Sequence, residues 1–155
     1  MRKISHIVIA GSSGSAVGLA IFGSGINWLI FSFTCIASSM LPDRLEYIFK
    51  NVRWVRHRTL THWLGGWLVL LVGWLWVCKE YGIGGFLESG IAGLLIGGCV
   101  HLICDMTTPM GVPLFLPLSK GRVSFGLVKT GFSELIAVLF SVVASYLWIQ
   151  NYFGF

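Results

Sequence analysis

Residues 90–107 read GIAGLLIGGCVHLICDMT. The stretch is apolar from Gly90 to Val100 and then carries two ionisable groups, His101 and Asp105. An α-helix rises about 1.5 Å per residue and a bilayer core is about 30 Å thick, so a run of this length and composition reads as a membrane-spanning helix. Gly93 and Gly97 stand four apart, the spacing that lines small residues along one helix face and lets a neighbouring backbone approach.

Outward from this helix, four more apolar segments occupy about residues 6–23, 26–41, 62–78 and 132–150, each at or slightly below the roughly 20 residues that cross a bilayer. Gly23-Ser24-Gly25 predicts a tight turn between the first two, Pro42 is expected to close the second, and Tyr81 to Gly85 divide the third from the fourth. Gly14 and Gly18 repeat the small-residue spacing, while Trp67, Trp74 and Trp76 suit either core packing or interfacial anchoring. Of 155 residues, 55% are hydrophobic and 11% charged, and the mean hydropathy is +0.82. That leaves too little polar material to clothe a soluble domain, so lipid must cover the rest. The expected fold is all-α: a single integral membrane domain over 1–155, a polytopic bundle of about five transmembrane helices. Arg2-Lys3 followed by apolar sequence resembles a signal peptide, but no small-x-small cleavage site follows, and the stretch is read as the first span.

The net charge of +5 does not point to nucleic acid, because the basic residues flank apolar segments instead of forming an exposed stripe. Anionic lipid headgroups are the expected counterpart. Cys35, Cys78, Cys99 and Cys104 lie in apolar segments without a CxxC pair, which argues against a disulfide framework and a zinc knuckle alike. With a cytoplasmic N-terminus, ten of the eleven Lys and Arg residues fall inside and Lys79 alone outside. The positive-inside rule therefore selects N-terminus cytoplasmic and C-terminus outside, in a multi-pass inner-membrane protein.

That topology gathers ionisable residues at the cytoplasmic level: His6 at the start of the first helix, Asp43 at the end of the second, His57 and His62 at the entry to the third, His101 and Asp105 on the inner half of the fourth, and Glu134 at the start of the fifth. His101 and Asp105 share a helix face and can bind one metal ion. Charge near a bilayer centre costs about 2.5–3.5 kcal/mol on insertion scales, so such residues need partners or a function. Imidazole with carboxylate suits zinc, and a divalent ion lowers the pKa of a bound water towards about 7. His57 and His62 would diverge by about 140° on one helix, so His57 is expected in the loop and His62 on the first turn, capped by Thr59 or Thr61. Arg58 offers a planar fork for phosphate or carboxylate, though it also reads as a topology-setting charge.

Three motifs, Leu41-Pro42-Asp43, His57-Arg58-Thr59-Leu60-Thr61-His62 and the run from His101 to Pro113, resemble the LPD, HRxxTH and HxxxDxxTxxGV motifs of the YdjM-like family, described as membrane-bound predicted metal-dependent hydrolases. The resemblance implies that His6, Asp43, His57, His62, His101 and Asp105 include the metal ligands and the general base, with Glu134 a further candidate from the last helix. The family often continues LPD as LPDxDH; here Leu45 and Glu46 stand in those positions, and Glu46 is a substitute candidate ligand. The HxxxD helix is more distantly similar to bacterial zinc-dependent phospholipase C, which suggests phosphoester chemistry by analogy.

Each candidate has a plainer reading. His6 and the basic run from Arg44 to Arg58 suit an interface, Asp43 suits the turn after Pro42, and Glu134 suits the positive end of a helix behind Ser133 as N-cap. Thr107, Thr108 and Pro109 are expected to end the fourth helix, and Gly111 to Pro117 to form a re-entrant or interfacial loop. The leading expectation is a metal-dependent hydrolase of the cytoplasmic leaflet, with Asp43 and Arg58 in catalysis, zinc as cofactor and a phosphoester or phospholipid as substrate. The alternative is a non-enzymatic membrane protein with a structural metal or an ion- or partner-binding site.

Overall fold

The computed structural model describes residues 1–49, 60–114, 121–129 and 131–154. Six helices run in the order α1 (Lys3–Phe22), α2 (Ile26–Ser38), α3 (Leu41–Phe49), α4 (Leu64–Tyr81), α5 (Gly85–Thr107) and α6 (Phe132–Phe153). Three of them, α1, α5 and α6, are long and apolar enough to cross a membrane. Helix α2 is apolar but has 13 residues, about 20 Å of helix. Helix α4 has 18 residues and carries Lys79 and Glu80 in its last turn. Large apolar side chains such as Phe33, Val69, Phe86, Leu139 and Phe140 face outward, as lipid-exposed helices require. The chain is a helical membrane bundle, and its five longer helices coincide with the five expected segments.

Apolar side chains gain little by leaving lipid for a protein interior, so helices in a bilayer hold together through close van der Waals packing. Here α2 packs chiefly against α5 and also against α1. From α5, a Cβ on Gly93 would lie 2.4 Å from the Phe31 carbonyl oxygen, and one on Gly97 would lie 2.3 Å from that of Cys35. From α1, a Cβ on Gly14 would meet Cys35 Sγ at 2.6 Å, and one on Gly18 would meet the Phe31 ring at 2.6 Å. Both small-residue stripes thus clasp the same helix. Trp67 is buried and donates its ring N–H to the Thr61 carbonyl at 2.9 Å, whereas Trp76 is exposed; the tryptophans divide between core and outer surface. All four cysteines are free and buried.

Several boundaries differ from the expectation. The second segment does not run to residue 41: α2 stops at Ser38, and after Ser39-Met40 the chain starts α3 with Pro42 in its first turn. A proline there costs nothing, since a first-turn N–H has no partner within the helix. Helix α5 begins at Gly85, with Glu88 in the first turn facing the positive end of the dipole. Its C-terminus falls at Thr107 as expected, and the open carbonyls of Met106 and Thr107 accept the N–H groups of Phe125 at 2.8 Å and Val128 at 2.9 Å. The start of α4 is finished the same way, because Leu64 N–H and Gly65 N–H donate to the carbonyls of Pro113 and Leu114, both at 3.3 Å. Residues 111–114 and 121–129 therefore stitch α4 to α5, with Val112 and Val123 forming an antiparallel bridge. Gly111 takes φ 61 where a side chain would run into the Val123 carbonyl at 2.4 Å.

Candidate metal centre

Helix α5 delivers His101 and Asp105 from one face, their Nε2 and Oδ2 atoms 3.7 Å apart. Helix α1 brings His6 above them, with its ring stacked on His101 at 4.2 Å between centroids and its Nε2 3.6 Å from Asp105 Oδ1. The first turn of α3 supplies Asp43, whose Oδ1 lies 3.2 Å from His62 Nε2 and 3.5 Å from His101 Nε2. His62 precedes α4, in a turn and not on the helix as expected, and its Nε2 reaches Asp105 Oδ2 at 3.9 Å. Two sets of donors result, His6 with His101 and Asp105, and Asp43 with His62 and His101; within each set the ligand atoms lie within 4.8 Å of one another. His101 belongs to both.

The protonation of these rings follows from what lies behind them. His101 Nδ1 is 2.6 Å from the Ser39 carbonyl oxygen, which only accepts, so Nδ1 carries the proton. Its Nε2 then presents a lone pair to the site, where it is buried without a hydrogen-bond partner among the described residues. Behind His62, Nδ1 is 3.2 Å from Glu46 Oε2 and 3.1 Å from the Thr61 hydroxyl. Each His62 nitrogen thus meets a carboxylate, Nδ1 that of Glu46 and Nε2 that of Asp43, and it is Nε2 that faces the cluster with Asp43 and Asp105. The His101 lone pair and the His62 Nε2 thus look at the two carboxylates of Asp43 and Asp105. Such an arrangement is stable only with a cation or extra protons between them. An outward N–H held by a carbonyl or carboxylate is also what orients histidine ligands in metal sites. The residues therefore fit a divalent metal with nitrogen and oxygen donors.

Burial separates the members. His62, His101, Asp105 and His6 are 0–3% exposed, while the Asp43 side chain is 41% exposed and opens the cluster to one side.

Not every expected ligand joins. Glu134 is buried at the start of α6 but accepts from the Arg2 backbone N–H and, at 2.6 Å, from the Ser5 hydroxyl. It finishes the N-terminus of α1 and belongs to neither donor set. Ser133 is not the N-cap of α6, a place taken by Gly131; its hydroxyl bonds the Lys129 backbone instead. His57, Arg58 and Thr59 lie outside the described residues. Thr61 does not cap α4 but supports His62. Glu46 stands behind His62, an orienting position and not one facing the shared space. Ser39 was missed by sequence reasoning, since its contribution is a backbone carbonyl that any residue type would supply.

The sequence model of the family described as "YdjM inner membrane protein" matches residues 1–154. The chain belongs to this family. Among curated proteins it is 36% identical over 81 residues to inner membrane protein YdjM of Escherichia coli (strain K12), a match covering 51% of this chain and 40% of that protein. Inner membrane protein YdjM of Shigella flexneri matches with the same identity and coverage. The match thus spans well under half the length of these relatives. No solved structure matches. Membership in the YdjM family makes this a multi-pass inner-membrane chain, in agreement with its apolar helices.

Proposed function

We propose that the chain is a membrane-embedded, metal-dependent hydrolase that acts on phosphoesters at the cytoplasmic leaflet. The single observation that supports this most is the pair of donor sets joined at His101, whose Nδ1–H is committed to Ser39 while its Nε2 is left bare and buried. His62, His101 and Asp105 would hold the ion, zinc on this reading, with His6 and Asp43 completing the set from either side. When bound, such an ion supplies Lewis-acid polarisation of a phosphoryl oxygen and acidifies a water.

The chain's own groups do the rest. Ser39 fixes the His101 tautomer, and Glu46 stands behind His62 to orient its ring. Asp43, ionised and half-exposed, sits where an incoming water and the substrate meet the cluster and can orient that water. Its contacts with His62 and His101 make it a ligand and hydrogen-bond acceptor. Arg58, known here from sequence alone, is assigned to neutralising charge on the substrate.

A structural metal is the second reading, favoured by the near-complete burial of His62, His101 and Asp105, since structural sites are closed and catalytic ones keep a position open. Hydrolysis assays on the detergent-purified chain, with soluble and lipid phosphoesters, separate the two. Turnover that disappears in His101→Ala and Asp105→Asn supports the hydrolase. Stoichiometric metal with no turnover of any phosphoester supports the structural site.

A further inference from the structure

On the side where Asp43 is exposed, a cavity of about 630 Å³ lies between the first turns of α1 and helix α3. Its walls include Lys3 from α1 and Arg44 from α3, both exposed, together with the apolar Ile7, Met40 and Ile48. Asp43 lines the same cavity and is also the residue that touches His62 and His101. Asp43 therefore joins the cavity to the ligand cluster, and two separate helices each place a cation in the cavity wall.

We propose that this cavity is the anion-binding entrance of the site, with Lys3 and Arg44 holding the phosphate of a phosphoester while its organic part lies on Ile7, Met40 and Ile48. The proposal rests on the hydrolase reading and assigns the recognition of the charged group within it. The carboxylate in the cavity wall, Asp43, is turned to His62 and His101, and on the hydrolase reading its charge is taken up by the ion those residues hold. Arg44 offers a planar pair of donors and Lys3 a point charge, a combination suited to phosphate oxygens. Lys3 and Arg44 also count towards the positive-inside bias, but topology needs only their presence on the cytoplasmic side, whereas both here line one cavity. The cavity is far larger than one phosphate group, which leaves room for the esterified portion. Phosphate from a soluble ester and phosphate from a lipid headgroup share this chemistry.

Titration calorimetry with inorganic phosphate on the zinc-incubated 155-residue chain tests the assignment, with metal content measured on the same samples. Lys3→Met and Arg44→Gln are each expected to weaken phosphate binding roughly tenfold, the effect of losing one charge-assisted contact. Lys129→Gln, which removes an equal charge away from the cavity, should leave it unchanged. Affinities within about twofold of wild type in both cavity variants, or no phosphate binding by the wild-type chain, overturn the proposal. An equal loss in Lys129→Gln also overturns it, as a general charge effect. Competition by glycerol phosphate in solution identifies a soluble ester as the source; competition only by phosphatidic acid in nanodiscs identifies a lipid. Metal content reads the hydrolase proposal separately, since a metal-loaded chain can fail the phosphate test and a metal-free chain can pass it.

Discussion

Replacing Gly97 with alanine adds one methyl group at the tightest point between α5 and α2. That carbon would sit 2.3 Å from the Cys35 carbonyl oxygen and 2.1 Å from Ser38 Oγ. The serine can rotate away, but the carbonyl is backbone. Ordinary contact begins at 3.4 Å, so the helices must part locally by about 1.1 Å, the difference between 3.4 and 2.3 Å. Overpacking of this kind costs about 1–3 kcal/mol. One turn further along α5, His101 Nδ1 donates to Ser39 at 2.6 Å; the same displacement would stretch that bond towards about 3.7 Å, past any useful hydrogen bond. Loss of such an orienting partner typically lowers metal affinity about 10–100-fold. Gly73→Ala is the control, because a Cβ there meets nothing within 4 Å and alanine is the better helix former by up to about 1 kcal/mol. Thermal unfolding in detergent and metal titration should show Gly97→Ala impaired in both and Gly73→Ala in neither. A Gly97→Ala chain as stable and as tightly metallated as wild type would refute the coupling of helix packing to the site.

Glu46→Ala should weaken metal binding about 10–100-fold with the fold intact, and Glu46→Gln less, because the amide oxygen still accepts from His62 Nδ1; equal loss in both variants would count against an orienting role. Glu134→Ala leaves the Ser5 hydroxyl and the Arg2 N–H without their buried acceptor and should cost about 1–3 kcal/mol in thermal unfolding, with metal content unchanged. Loss of metal in that variant would instead make Glu134 a ligand. Reporter fusions after Lys79 and at the C-terminus should both report the outside; cytoplasmic activity at both would reverse the proposed topology.

The pair His101 and Asp105 was legible in the sequence because two ionisable groups one turn apart in an otherwise apolar helix have few structural explanations. The glycine stripes were legible for a similar reason: spacing alone puts them on one face, though not on which partner. Both proved to face α2. The break between α2 and α3 was hidden because Pro42 fits the end of one helix and the start of the next equally well, and only packing against α5 decides. Glu134 does lie against the start of α1, the helix that carries His6, but it is spent there on the Arg2 N–H and the Ser5 hydroxyl, a pairing between distant segments that no local pattern encodes. Glu46 stood out as a departure at a ligand position; its role behind His62 depends on the turn that carries His62, which no periodicity predicts.

The claim on which the rest depends is that imidazoles and carboxylates from α1, α3, α5 and the turn before α4 hold one shared divalent cation. Elemental analysis of the purified, metal-replete chain tests it directly, alongside His101→Ala. Because His101 is common to both donor sets, the prediction is stoichiometric metal, with zinc in excess of other transition metals, in the wild-type chain and essentially none in the variant. A wild-type chain that carries no metal under replete conditions, or a His101→Ala chain that keeps it, would contradict the proposal.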